Sequence, residues 1–163
     1  MMSRPTLAMI TVTLLLCAQA HTCRAEASPT QQWIQILESD APLSARAQAC
    51  QRLGEFGTPA AVPVLAATLD HEVLGVYARA GLERIPGPEA AGALRGALEQ
   101  TRGMSRIGVM HSLAALRDEG AVPTLCTLAG DSDPDTAQAA LLALGRIGND
   151  RAVARVRQAL SRG

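Results

Sequence analysis

The chain has 163 residues, 48% of them apolar but only 2% aromatic, and its 15 basic and 15 acidic residues cancel. Sheets draw on aromatic and β-branched residues, so an apolar fraction made mostly of Ala, Leu, Val and Ile points to helices. Zero net charge removes the electrostatic footprint of a nucleic-acid binder, and an 18% charged fraction of mixed sign excludes a disordered acidic or basic chain.

The chain opens with a short segment carrying Arg4, then an apolar run from Leu7 to Ala18, then small-x-small sites at Ala18-Gln19-Ala20 and Ala25-Glu26-Ala27. This is the three-part layout of a secretory signal peptide. The run is too short for a spanning helix, which wants roughly 20 apolar residues. The expected signal therefore covers residues 1–27, with a cut after Ala27 and Ala20 as the alternative site. Cys17 follows Leu16 rather than a small residue, which argues against a lipoprotein. The mature product is expected outside the cytoplasm, periplasmic or extracellular, with no stable membrane insertion.

Residues 28–42 read as an extended lead-in, Ser28-Pro29-Thr30, followed by a capping helix over Gln31 to Leu37. Residues 43–163 then repeat. Segments starting at Arg46, Gly75, Arg106 and Ala137 align at offsets of 29, 31 and 31 residues. Leu53, Leu82, Leu113 and Leu144 form one column, and Phe56, Ile85, Leu116 and Ile147 form another three residues on. Ala61, Ala90, Ala121 and Ala152 follow, and then Leu65, Leu94, Leu125 and Val156. These are helical spacings of three and four, so each unit is two short amphipathic helices. The units span about 43–70, 73–100, 104–130 and 134–162.

Thr58, Gly87, Asp118 and Asn149 share one column between the paired helices, and all are accepted N-cap residues. Pro59 and Pro88 follow at the first helical position, and Gly57 and Gly148 end the preceding helix. One such pair cannot bury its apolar face alone, whereas a stack of four buries a continuous core. Trp33, Ile34 and Leu37 are expected to cover one end. Arg151, Arg155, Arg157 and Arg162 make the last helix polar, as a terminal cap requires.

These residues carry a resemblance to HEAT-like repeats of the type described in phycobilisome lyases. Arg46, Ala49, Leu53-Gly54, Phe56-Gly57, Ala61-Val62 and Leu65 carry it in the first unit. Ala139-Ala140, Leu144-Gly145, Ile147-Gly148, Ala152-Val153 and Val156 carry it in the fourth. The second unit departs from the pattern, with Pro86 at the inter-helix Gly and Arg79 in the column of Cys50, Met110 and Leu141; its Tyr77–Pro88 stretch resembles one in exported bacterial HEAT-repeat proteins. The resemblance implies an all-α superhelix, a solenoid of about four helix pairs behind an N-terminal capping helix. It carries no specific activity.

Candidate chemistry is sparse. His71-Glu72 resembles the His-Glu pairs that hold two metals in a HEAT-like iron enzyme, but one pair cannot supply such a site. Cys50 and Cys126 fall on different helix types two units apart. No bridge is expected between them, because disulfide Cα atoms approach to about 4.4–6.8 Å. They read as small apolar residues. No nucleophile elbow, phosphate loop or dinucleotide fingerprint is present. No catalytic residue, metal or cofactor is assigned.

The candidates are instead for partner binding. Tyr77 and Arg79 are one group. An Arg in an apolar column would be costly if buried alone, and Glu83 one turn on is the plain partner, a ligand anion the other. The second group lies on the second helices, which in HEAT stacks line the concave side: Glu89, Arg95, Thr124, Thr127, Arg151, Arg155 and Gln158. The first unit offers Ala60, Pro63, Val64 and Ala67 there, an apolar surface suited to a partner helix. The expected function is a non-catalytic protein-interaction scaffold. The alternatives are an accessory module or N-terminal part of a larger envelope enzyme or electron-transfer protein, and, more remotely, a lyase-type chromophore-attachment subunit.

Overall fold

The structure is a computed structural model that describes residues 28–161; the expected signal peptide lies outside the described residues. Nine α-helices follow one another, and no strand occurs among the described residues. They are α1 (Pro29–Glu38), α2 (Leu43–Phe56), α3 (Val62–Ala67), α4 (Leu74–Arg84), α5 (Pro88–Gln100), α6 (Gly103–Ala115), α7 (Val122–Leu128), α8 (Pro134–Ile147) and α9 (Asp150–Leu160). Short 3₁₀ turns, Pro59–Ala61 and Glu119–Ala121, lead into α3 and α7. The pairs α2/α3, α4/α5, α6/α7 and α8/α9 are the four units expected from the columns. Each first helix packs on the next, α2 on α4 and α6 on α8 most closely, as in a HEAT-like helical solenoid.

Local sequence explains the differences between units. In an α-helix starting at residue 59 or 119, the carbonyl of that first residue accepts from the backbone N–H of residue 63 or 123. Both positions are proline, which has no N–H, so the first turn closes in the tighter 3₁₀ form and the α-helix begins beyond it. The matching residues in the second and fourth units are Gly92 and Ala154, and there α5 and α9 run unbroken from Pro88 and Asp150.

The cap column is used unevenly. Asn149 accepts from the backbone N–H of Ala152 at 2.9 Å and caps α9. Thr58 and Asp118 make no side-chain cap bond, contrary to expectation. Asp118 is drawn instead to Arg95, and Thr58 donates to Thr30 Oγ1. Gly57 (φ 61°) and Gly148 (φ 73°) end α2 and α8 in the left-handed region, whereas the third unit places Arg117 there at φ 51°. Ser28-Pro29-Thr30 is no extended lead-in: Ser28 caps α1 by accepting from Gln31 N–H, and Pro29 opens the helix.

The core is the set of columns. Leu53, Leu82, Leu113 and Leu144 are fully buried, as are Leu65, Leu94 and Leu125. Leu37 is the buried residue of α1, with Trp33, Ile34 and Ile36 of the same helix packed against the core cluster, so α1 closes the first end of the stack. Phe56 departs from its column and stands 44% exposed at the end of α2. Arginines tie successive helices: Arg46 Nε donates to Leu37 O (3.1 Å), and Arg106, in the same column, donates to Thr101 O (2.8 Å). Each satisfies a carbonyl orphaned at the end of the preceding helix. In the second unit this position is Gly75, and a Cβ there would stand 2.5 Å from Leu69 O, so backbone takes the space of the guanidinium.

Candidate interaction surface

The expected partner-binding residues do not form one site. Tyr77 and Arg79 lie on α4 but face different hollows. Tyr77 is half-buried in an open groove of about 260 Å³ between α2 and α4, lined also by Gln51, Glu55, Ala80, Gly81 and Arg84. The groove exists because α2 and α4 cross backbone to backbone: a Cβ on Gly54 would stand 2.7 Å from Gly81 Cα.

Arg79 turns instead toward α6, where its guanidinium lies on Gly108, whose missing side chain makes the room. The expected ion pair with Glu83 is not formed. Glu83 is exposed and supports the Arg79 charge only through space, while burial holds the guanidinium below its ordinary pKa. The hollow beside Arg79, about 130 Å³, also holds Glu72 and His71. His71 is not idle in the inter-unit turn: its Nδ1 accepts from the backbone N–H of Val73 (3.2 Å) and Leu74 (3.3 Å), so it caps α4.

On the second helices, two of the named arginines are structural ties. Arg95 Nη1 meets Asp118 Oδ1 at 2.7 Å, joining α5 to the turn of the next unit; Asp118 Oδ2 is buried with no hydrogen-bond partner. Gly120 leaves room for this guanidinium, since a Cβ there would come 2.7 Å from Arg95 Nη1. Arg155 Nε donates to Cys126 O at 3.3 Å and ties α9 to α7. Thr124 is half-buried on α7. Glu89, Thr127, Arg151 and Gln158 are the members of the set that stand exposed.

What the second helices do share is a register of small residues. Three columns cross all four units: Ala60, Glu89, Gly120 and Arg151; Pro63, Gly92, Pro123 and Ala154; Ala67, Gly96, Thr127 and Gln158. Every member except half-buried Gly92 is exposed, and nothing lies within 4 Å of where a Cβ on Gly96 would be. Only Glu89 and Arg151 are charged. The low-charge surface expected of the first unit therefore continues across the array. Gly92, Gly96, Gly120, Pro123 and Ala154 were legible by carrying Ala60, Pro63 and Ala67 forward at the repeat offsets; charged residues drew attention away from them.

Cys50 is buried in α2, and burial pushes its thiol up from 9.0 to about 11; Cys126 is half-buried on α7, and both are free. Among the described residues, no three His, Cys, Asp or Glu side chains come together as a metal-holding group. No described helix is long and apolar enough to cross a membrane. A comparison with curated proteins gives no match. A family model for HEAT repeats matches residues 97–163, which include all of α6 to α9. The third and fourth units are thus similar to HEAT repeats by sequence, and the first two repeat their columns in the same packing.

Proposed function

We propose that the chain is an exported, non-catalytic protein-interaction scaffold that holds its partner on the second-helix face. The carrying observation is the three exposed columns of mostly small residues, in register across four units. Such a face lets a partner's side chains or an apposed helix approach the scaffold backbone closely, with Glu89 and Arg151 fixing orientation at two separated points. HEAT repeats in α6 to α9 support a protein partner, because stacked helix pairs form extended binding surfaces. Export rests on the residue 1–27 sequence pattern.

A photo-crosslinking residue at Gly96, where the structure has open space, tests the surface in the envelope fraction. The expected result is one protein adduct at Gly96 and none at exposed Ala80 on the first-helix face. Equal labelling from both positions, or none from either, would overturn the assignment. Export is read separately, from the amino terminus of the envelope-fraction protein. Ser28 is the expected first residue; an uncleaved cytoplasmic chain would refute it.

A further inference from the structure

Several positions that earlier units cover lie more open in the fourth. Leu69, Leu98 and Ala129 are buried, yet Leu160 in their column is 78% exposed. Leu65, Leu94 and Leu125 are fully buried, whereas Val156 is only half-buried. Cys50 and Met110 are sealed by the next unit, and their counterpart Leu141 on α8 is half-buried. Gly54 crosses against Gly81, but Gly145 in the Gly54 column has nothing within 4 Å of its would-be Cβ. Arg151, Arg155 and Arg157 of α9 therefore do not by themselves complete the cap expected of them, and Arg162 lies outside the described residues. The α8/α9 face has the surface of an internal junction.

We infer that this face pairs with the same face of a second copy, forming a two-fold dimer. Three observations favour a second copy as occupant. At each internal junction, first helix packs on first helix, and α8 carries Gly145 in the column through which Gly54 meets the next unit, with nothing within 4 Å of its would-be Cβ, so two α8 helices can approach closely there. The opposite end of the stack is closed by α1, which blocks head-to-tail stacking and leaves end face on end face as the closed arrangement. Finally, α9 is self-complementary in charge. Asp150 and Arg157 are exposed, seven residues apart and therefore on one side of the helix, so antiparallel apposition of two α9 helices sets each Arg157 opposite an Asp150. Arg157 occupies the column of Arg95, which makes this kind of ion pair with the following unit.

Analytical ultracentrifugation of the purified protein across a concentration series tests the pairing. A monomer–dimer equilibrium is expected, with Leu160→Asp and Leu141→Asp each raising the dissociation constant at least about tenfold. Val76→Asp, at an exposed residue of α4, should leave it unchanged. Asp150→Arg and Arg157→Asp should each weaken the dimer and restore it when combined, as two-fold apposition requires. Circular dichroism checks that each variant folds. A chain that stays monomeric up to about 100 μM, a dimer broken by Val76→Asp instead, or a double charge reversal that fails to restore pairing would each overturn the inference.

Discussion

Arg117 shows how one side chain can stand where the repeat prefers none. Its column holds Gly57 and Gly148 in the left-handed region, and Arg117 adopts the same backbone at φ 51° with a Cβ that crowds the carbonyl. Arg117→Gly is expected to stabilise the chain by about 0.5–1 kcal/mol, read as a rise in the midpoint of chemical denaturation. A fall would mean that the side chain contributes more than the strain it imposes. Asp133 makes the complementary case. It accepts from the backbone N–H of Thr136 at 3.1 Å and from its hydroxyl at 2.5 Å, and these bonds hold its carboxyl below the ordinary carboxylate value. The stabilising contribution is therefore complete above that ordinary value and is lost as pH falls toward the lowered one. Melts across the acid range should show a larger loss for the natural chain than for Asp133→Asn; parallel curves would remove Asp133 from the account.

At the scale of helices, two glycines with the same propensity have opposite consequences. Gly54→Ala puts a Cβ 2.7 Å from Gly81 Cα, and neither backbone can yield without parting α2 from α4. A loss of about 1–3 kcal/mol is expected. Gly96→Ala on α5 meets nothing within 4 Å and removes the entropic penalty of a helical glycine, a gain of about 0.5–1 kcal/mol. Urea titration of the two variants should move in opposite directions, and a common direction would contradict the crossing. The helix pairs were readable in the sequence because burial in a stack imposes the same spacing in every unit. The 3₁₀ entries were readable too, from Pro63 and Pro123, but only by asking which backbone donor each ring removes. Arg95, Arg155 and His71 were not. Their roles depend on which turn or carbonyl a long side chain reaches in the neighbouring segment, and spacing along the chain does not encode that reach. The charge of Arg95 and Arg155 suggested a partner surface, whereas the fold spends it on ties between units.

For the whole molecule, stability in a stack is a sum over units and junctions, so the weakest junction decides where it opens. That junction is between the second and third units. Across α6 and α8, Met110 is sealed and Ala139 is buried; across α4 and α6 the matching residues are Arg79 and Gly108, and the helices pack less closely. Native-state hydrogen exchange should therefore divide the molecule into two blocks, α1–α5 and α6–α9, opening at different denaturant concentrations. The double change Arg79→Met with Gly108→Ala installs the residues of the tighter junction and should merge the blocks. A single cooperative opening in the natural chain, or a boundary elsewhere, would refute the weak seam.

The chain carries one Trp, and it lies on α1, half-buried against the first end of the stack. Intrinsic tryptophan emission is thus a built-in reporter of one terminus and is silent on the other. Ellipticity averages over helices throughout the stack, so the two signals need not share a midpoint. An emission change that precedes the loss of helix would register the lifting of α1 alone, and would make Trp33 an optical gauge of how firmly the first repeat keeps its lid.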